Sequence, residues 1–145
     1  MGWLVLAAGI FYFIVIEDIH LQQKQTTQSE WESQSAQLYA SQMLMLANRV
    51  NDYRYKTAQS EGSIPLTFLG LPFTLDRRIQ HTVSQGRLWI WMPEEPGLVD
   101  ALQKRSRGSA LVGVLHDGQL HWLSGANSGL VAPESMEDGV VVYIN

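Results

Sequence analysis

Three groups of side chains in this 145-residue chain have the types that chemistry uses. His116 and His121 flank an Asp117-Gly118 pair, so a hairpin would bring both imidazoles to one sheet face, roughly 7–8 Å apart at Cα. With Asp117 beside them they offer part of a surface metal site, but a structural site takes four ligands and buried supporting hydrogen bonds. Glu94-Glu95 would supply a carboxylate pair for general acid–base work, yet Pro93 and Pro96 mark a solvated turn. Trp89, Trp91 and Trp122 have the surface to line a carbohydrate or peptide cleft, the competing use being core packing. There is no phosphate-binding loop, nucleophile elbow or His-Glu-x-x-His, and Ala132-Pro133-Glu134 stands without the other kinase motifs. The lack of Cys removes disulfides, thiolate metal sites and cysteine nucleophiles together. A net charge of −4 leaves no footprint for nucleic acid, so Arg77-Arg78 and Lys104-Arg105 with Arg107 read as solvated surface. The expectation is a protein that is not an enzyme, with no cofactor, no metal and no nucleic-acid partner.

What would position these residues is a sheet with one long helix. Ala110 to His116, Asp117-Gly118 and Gln119 to Ser124 predict a hairpin with a type I′ turn, which needs positive φ at both central positions. Pairing outward from His116 and Gln119 sets Leu115 opposite Leu120 and Gly113 opposite Trp122, where a bare Gly would let the indole lie over the backbone. Leu88-Trp89-Ile90-Trp91-Met92 predicts a central strand buried on both faces, and Gly139 to Ile144 a last strand inside the sheet. Ile64, Leu66 and Phe68 alternate as extended chain, which continues from Phe73 to Ile79. Gly97 to Arg105 predicts a short helix with Leu98, Val99 and Leu102 inward, and Gly125 to Gly129 a loop. Ala36, Tyr39, Met43, Leu46, Val50 and Tyr53 follow one another at spacings of three and four, the stripe of an amphipathic helix ending near Ser60 to Gly62. That stripe fits either the protein's own sheet or, as a heptad seam, a partner or a second copy. Tyr39, Met43, Leu46, Val50 and Tyr53 are therefore the candidate partner-interface residues. The fold class expected is α+β, with this helix packed on an antiparallel sheet of four or five strands.

The N-terminal end predicts a location. Met1 to Ile16 carries no charged side chain and covers about 24 Å as a helix, and His20 and Leu21 bring it near the full ~30 Å span of a bilayer core. A cleaved signal would want basic residues ahead of the run and small residues at its cleavage site. A prepilin leader would want Glu where Ala7 stands, and myristoylation Ser or Thr at Leu6. The expectation is an uncleaved, single-pass transmembrane anchor over 1–21, a polar stalk over 22–35, and an α+β domain over 36–145. With Glu17 and Asp18 just past the run and no basic cluster holding that side in, the expectation is an N-terminus in the cytoplasm and the domain in the periplasm of a bacterial inner membrane.

The opening MGWLVLAAGIFYFIVI, the Gln/Ser-rich stalk, RLWIWMP and the closing DGVVVYIN together resemble the PilM family of type IVB thin-pilus systems on IncI-type conjugative plasmids. They do not resemble the actin-like cytoplasmic protein of the same name. The resemblance implies a non-catalytic inner-membrane scaffold or adaptor of the pilus assembly apparatus, serving pilus biogenesis and conjugative mating. Its partners would be the membrane and other pilus-assembly proteins or a second copy, with no catalytic residues to carry over. The alternative is a pilin-like or minor-pilin subunit, which shares the outline of an apolar N-terminal helix leading into an α+β head.

Overall fold

A computed structural model describes residues 2–108 and 111–145, with side chains throughout except those of residue 4 and residues 13–27. Ala110, the first residue of the expected hairpin, lies outside the described residues. One helix, α1, runs over Gly2–Thr57. Its continuity follows from composition: between residues 10 and 57 there is neither Gly nor Pro, and Gln, Glu, Leu, Met and Ala favour the helix. The polar tract over 22–35 is thus part of the same helix as the apolar run before it and the amphipathic stripe after it. α1 stops at Thr57, a few residues before the expected end at Ser60 to Gly62, because Ala58 turns left-handed at φ 55° while its N–H still donates to Arg54 O at 2.8 Å.

Among the described residues no helix is long and apolar enough to cross a membrane. This overturns the expected transmembrane anchor, and with it the single-pass inner-membrane topology with a cytoplasmic N-terminus and a periplasmic domain. The physical reason is length. Sixteen uncharged residues cover about 24 Å, short of the ~30 Å hydrocarbon core, and the following turns bring Glu17, Asp18, His20, Gln22 and Gln23.

Beyond α1 the chain forms β1 (Gln80–Ser84), β2 (Arg87–Pro93), α2 (Leu98–Arg105), β3 (Val112–His116), β4 (Gln119–Trp122), β5 (Asn127–Val131) and β6 (Val140–Ile144). They make one antiparallel sheet of order β1-β2-β6-β3-β4-β5, six strands where four or five were expected. Two strands differ from the expectation: β1 begins at Gln80, just past the stretch Phe73 to Ile79 expected to be extended, which forms no strand, and β5 reads as loop because it is an edge strand holding Gly129 at φ 71°. Leu66–Phe68, expected to be extended, is a 3-10 turn after Pro65.

Strict alternation builds two cores. On β2, Leu88, Ile90 and Met92 join α1 and α2, while Trp89 and Trp91 face the other way with Val140, Val142 and Ile144 of β6. The helices cover the first face. Among the described residues the second has no helix on it and is closed by Leu130 of β5 with Ala132 and Met136 from the segment after it. The β3–β4 hairpin has the expected register, Gly113 opposite Trp122 and Leu115 opposite Leu120, with Asp117 and Gly118 both at positive φ. The reason for Gly113 differs from the one expected: a Cβ there would stand 2.6 Å from the His121 carbonyl oxygen and 2.9 Å from Leu120 Cδ1.

Candidate interaction surface

The inward face of α1 is fully used by the protein itself. Ala36, Ala40, Met43, Leu46, Ala47 and Val50 are buried in the core under β2 and α2, and among the described side chains Ala36 is the first buried residue along the helix. Of the candidate interface residues, Met43, Leu46 and Val50 lie in this core, and Tyr39 and Tyr53 are half-buried at its margins. Tyr53 stacks on Phe68 of the 3-10 turn, ring centroids 6.2 Å apart.

Tyr39 belongs to a latch centred on Arg78. The guanidinium lies 4.7 Å over the Tyr39 ring, donates to Tyr39 Oη at 2.5 Å and to Asp76 Oδ1 at 3.2 Å, and pairs with Glu95. Gln42 Oε1 accepts the Asp76 N–H at 2.9 Å. One arginine thus ties α1, the turn before β1 and the β2–α2 connection together. It holds the Asp76 carboxyl below the usual carboxylate range through their hydrogen bonds. Arg78, read from sequence as solvated surface, is partly exposed yet fully engaged. Glu95, half of the supposed acid–base pair, is its ion partner, while Glu94 stays in solvent.

The remaining chemical candidates resolve in the same direction. His116 and His121 meet edge to face at 6.2 Å, with the Asp117 carboxylate 3.5 Å from His116 Nε2, and no group of three or more metal-ligating side chains occurs among the described residues. Trp89 and Trp91 are buried and Trp122 packs against the same cluster, so the tryptophans fill the second core. Trp122 also borders a shallow groove of about 590 Å³ with Leu111, Leu123 and Gln103.

Both sheet edges are closed to strand addition. Along β1, Gly62 pairs with Val83. Along β5, the Gly129 N–H donates to Asn127 Oδ1 at 2.9 Å and the Leu130 N–H to Ser128 Oγ at 3.1 Å, so side chains occupy donors that an added strand would need. What is open is the outer face of α1. Trp31, Leu38 and Met45 stand exposed at 66%, 56% and 39% on the side away from the core. They recur every seven residues, so they line up as one seam. Sequence reading missed them because the stronger stripe beside them, at three and four spacing, accounts for the helix as a packed element. The regular spacing of seven was the available signal.

Comparison with known proteins gives the context. A family model described as PilM matches residues 11–144. The chain belongs to the PilM family. A crystal structure named PilM from Escherichia coli B7A is 29% identical, with a TM-score of 0.67, covering 78% of this chain and 93% of that one. A second, named PilM from Pseudomonas aeruginosa 2192, is 27% identical over 74% of this chain and 93% of that one, with a TM-score of 0.45. No curated protein matches. The family match overturns the narrower expectation of a distinct plasmid thin-pilus variant: the PilM name comes without that qualification, and with a 29% identical relative from E. coli. The conjugative role and the contrast with other proteins of the name fall with it. Membership of the PilM family makes other pilus-assembly proteins its class of partner.

Proposed function

We propose that the protein is a scaffold in pilus assembly, and that a helix of another pilus-assembly protein docks along the outer face of α1. The observation that carries this reading is the exposed Trp31–Leu38–Met45 seam, whose spacing suits knobs from a facing helix. Its backing supports the reading. Directly behind the seam, Ala36, Ala40, Met43 and Ala47 fix α1 on the sheet, so the face is presented rigidly. Closed sheet edges favour a helix over a strand as the partner's element. The test is a double substitution, Leu38→Glu with Met45→Glu, scored for pilus production in cells. Because both side chains point away from the core, the variant should fold with an unchanged melting temperature while pili are lost. A folded variant with normal pili would refute the proposal.

A further inference from the structure

The segment after α1 closes over the outer edge of β1 as a clasp. The Gly62 N–H donates to Val83 O at 2.8 Å and the Val83 N–H to Gly62 O at 3.0 Å. Ser63 Oγ donates to His81 O at 3.0 Å, the Gln85 N–H donates to Glu61 Oε1 at 3.0 Å, and the Ile64 side chain is buried in the main core. One more tie differs in kind. The Ile64 N–H donates to Nε2 of His81 at 3.2 Å, so a ring that titrates near neutrality serves as the acceptor of a backbone bond.

We propose that His81 makes this clasp acid-sensitive: a proton on Nε2 turns the acceptor into a donor, sets it against the Ile64 N–H, and releases residues 61–64 from β1. Among the described residues no carboxylate forms an ion pair with the ring. Glu61, on the clasp itself, is bonded to Gln85, and Arg54 of α1 donates to the carbonyls of Gly86 and Gln59. Asp76 and Arg78, before β1, are bonded to each other. The residue paired with His81 on β2 is Ile90, and Arg87 sits at the far end of that strand opposite Ser84. Burial accordingly holds the His81 imidazole below its usual range. The sign follows: the clasp is at full strength above the unfolded value of about 6.5 and weakens as pH falls from there toward the lower folded value. Opening would strip both partners from the backbone of Val83 and leave an extended edge at β1, which is the exposure that β5 avoids with its own side chains.

Amide exchange followed by NMR on the full chain between about pH 7.5 and pH 5 tests this. After correction for the intrinsic pH dependence, protection at Gly62, Ile64 and Val83 should fall progressively with pH relative to Val141 of β6. His81→Gln keeps an acceptor that does not titrate, and its clasp amides should hold their protection over the same range. The Ile64 amide shift in the parent protein should move with the His81 ring titration, at a midpoint below 6.5. An equal loss of protection in His81→Gln, or an Ile64 amide indifferent to that titration, would overturn the proposal.

Discussion

Replacing Gly113 by Ala tests the reasoning about the hairpin at a single atom. The new Cβ would lie 2.6 Å from the His121 carbonyl oxygen, and that carbonyl belongs to the β3–β4 ladder, where Val114 pairs with His121. Leu120 Cδ1, at 2.9 Å, can rotate aside, but the carbonyl moves only if the ladder bends. Overpacking of this kind costs about 1–3 kcal/mol, and the involvement of backbone places it near ~2 kcal/mol. For a chain of this length that corresponds to a fall of about 6 °C in melting temperature. Thermal unfolding followed by near-UV circular dichroism reads it directly, because Trp89 and Trp91 lie in the core under that strand pair. Gly9→Ala is the control: nothing lies within 4 Å of its added Cβ, and within a helix Ala is favoured over Gly. A Gly113→Ala protein melting within about 1 °C of its parent would refute the steric argument, since no route around the carbonyl would then be needed.

Met43→Ala removes a fully buried side chain from the α1 face of the core and should destabilise the domain by about 2–5 kcal/mol, measured by urea unfolding. Arg78→Ala breaks the contacts to Tyr39, Asp76 and Glu95 at once. Being partly exposed, the latch should cost only about 1 kcal/mol by the same measurement, with Arg78→Lys restoring part of it because an ammonium cannot reproduce the planar fork. Asp76, held below its usual range by Arg78, contributes stability that is present above the unfolded value of about 3.9 and lost as pH falls through the folded value. Asp76→Asn should flatten that acid limb of a melting temperature against pH curve.

Much of the sheet was legible because local and global signals agree there. Asp117-Gly118 dictates one turn type, that turn dictates a register, and the register pairs Leu115 with Leu120. β2 reads as a strand buried on both faces and β6 as a strand inside the sheet, since no charged residue interrupts either apolar run, and they lie side by side in the sheet. β5 was illegible for the opposite reason: its burial is weak, Gly129 bends it, and its backbone donors are taken by its own Asn and Ser side chains. The N-terminal end misleads because its first sixteen residues are uncharged yet too few to span a bilayer core, and the helix runs on through Glu17 and Asp18 as easily as through the residues before them. At the surface, the stripe containing Met43, Leu46 and Val50 carried the strongest periodic signal. Periodicity reports that a face is covered, and here the cover is the protein's own sheet. The latch was beyond reach, since Tyr39, Arg78 and Glu95 are far apart in the chain and meet only through the packing of α1 on the sheet.

The central claim is that α1 offers its outer face to another pilus-assembly protein while its inner face serves the fold. Photo-crosslinking in cells that are assembling pili tests it most directly, with a crosslinking side chain placed in turn at Leu38, at Met45 and at buried Ala40. The account predicts adducts to a pilus-assembly protein from Leu38 and Met45 and none from Ala40. Cells that make normal pili yet yield no adduct from either outer position would contradict it.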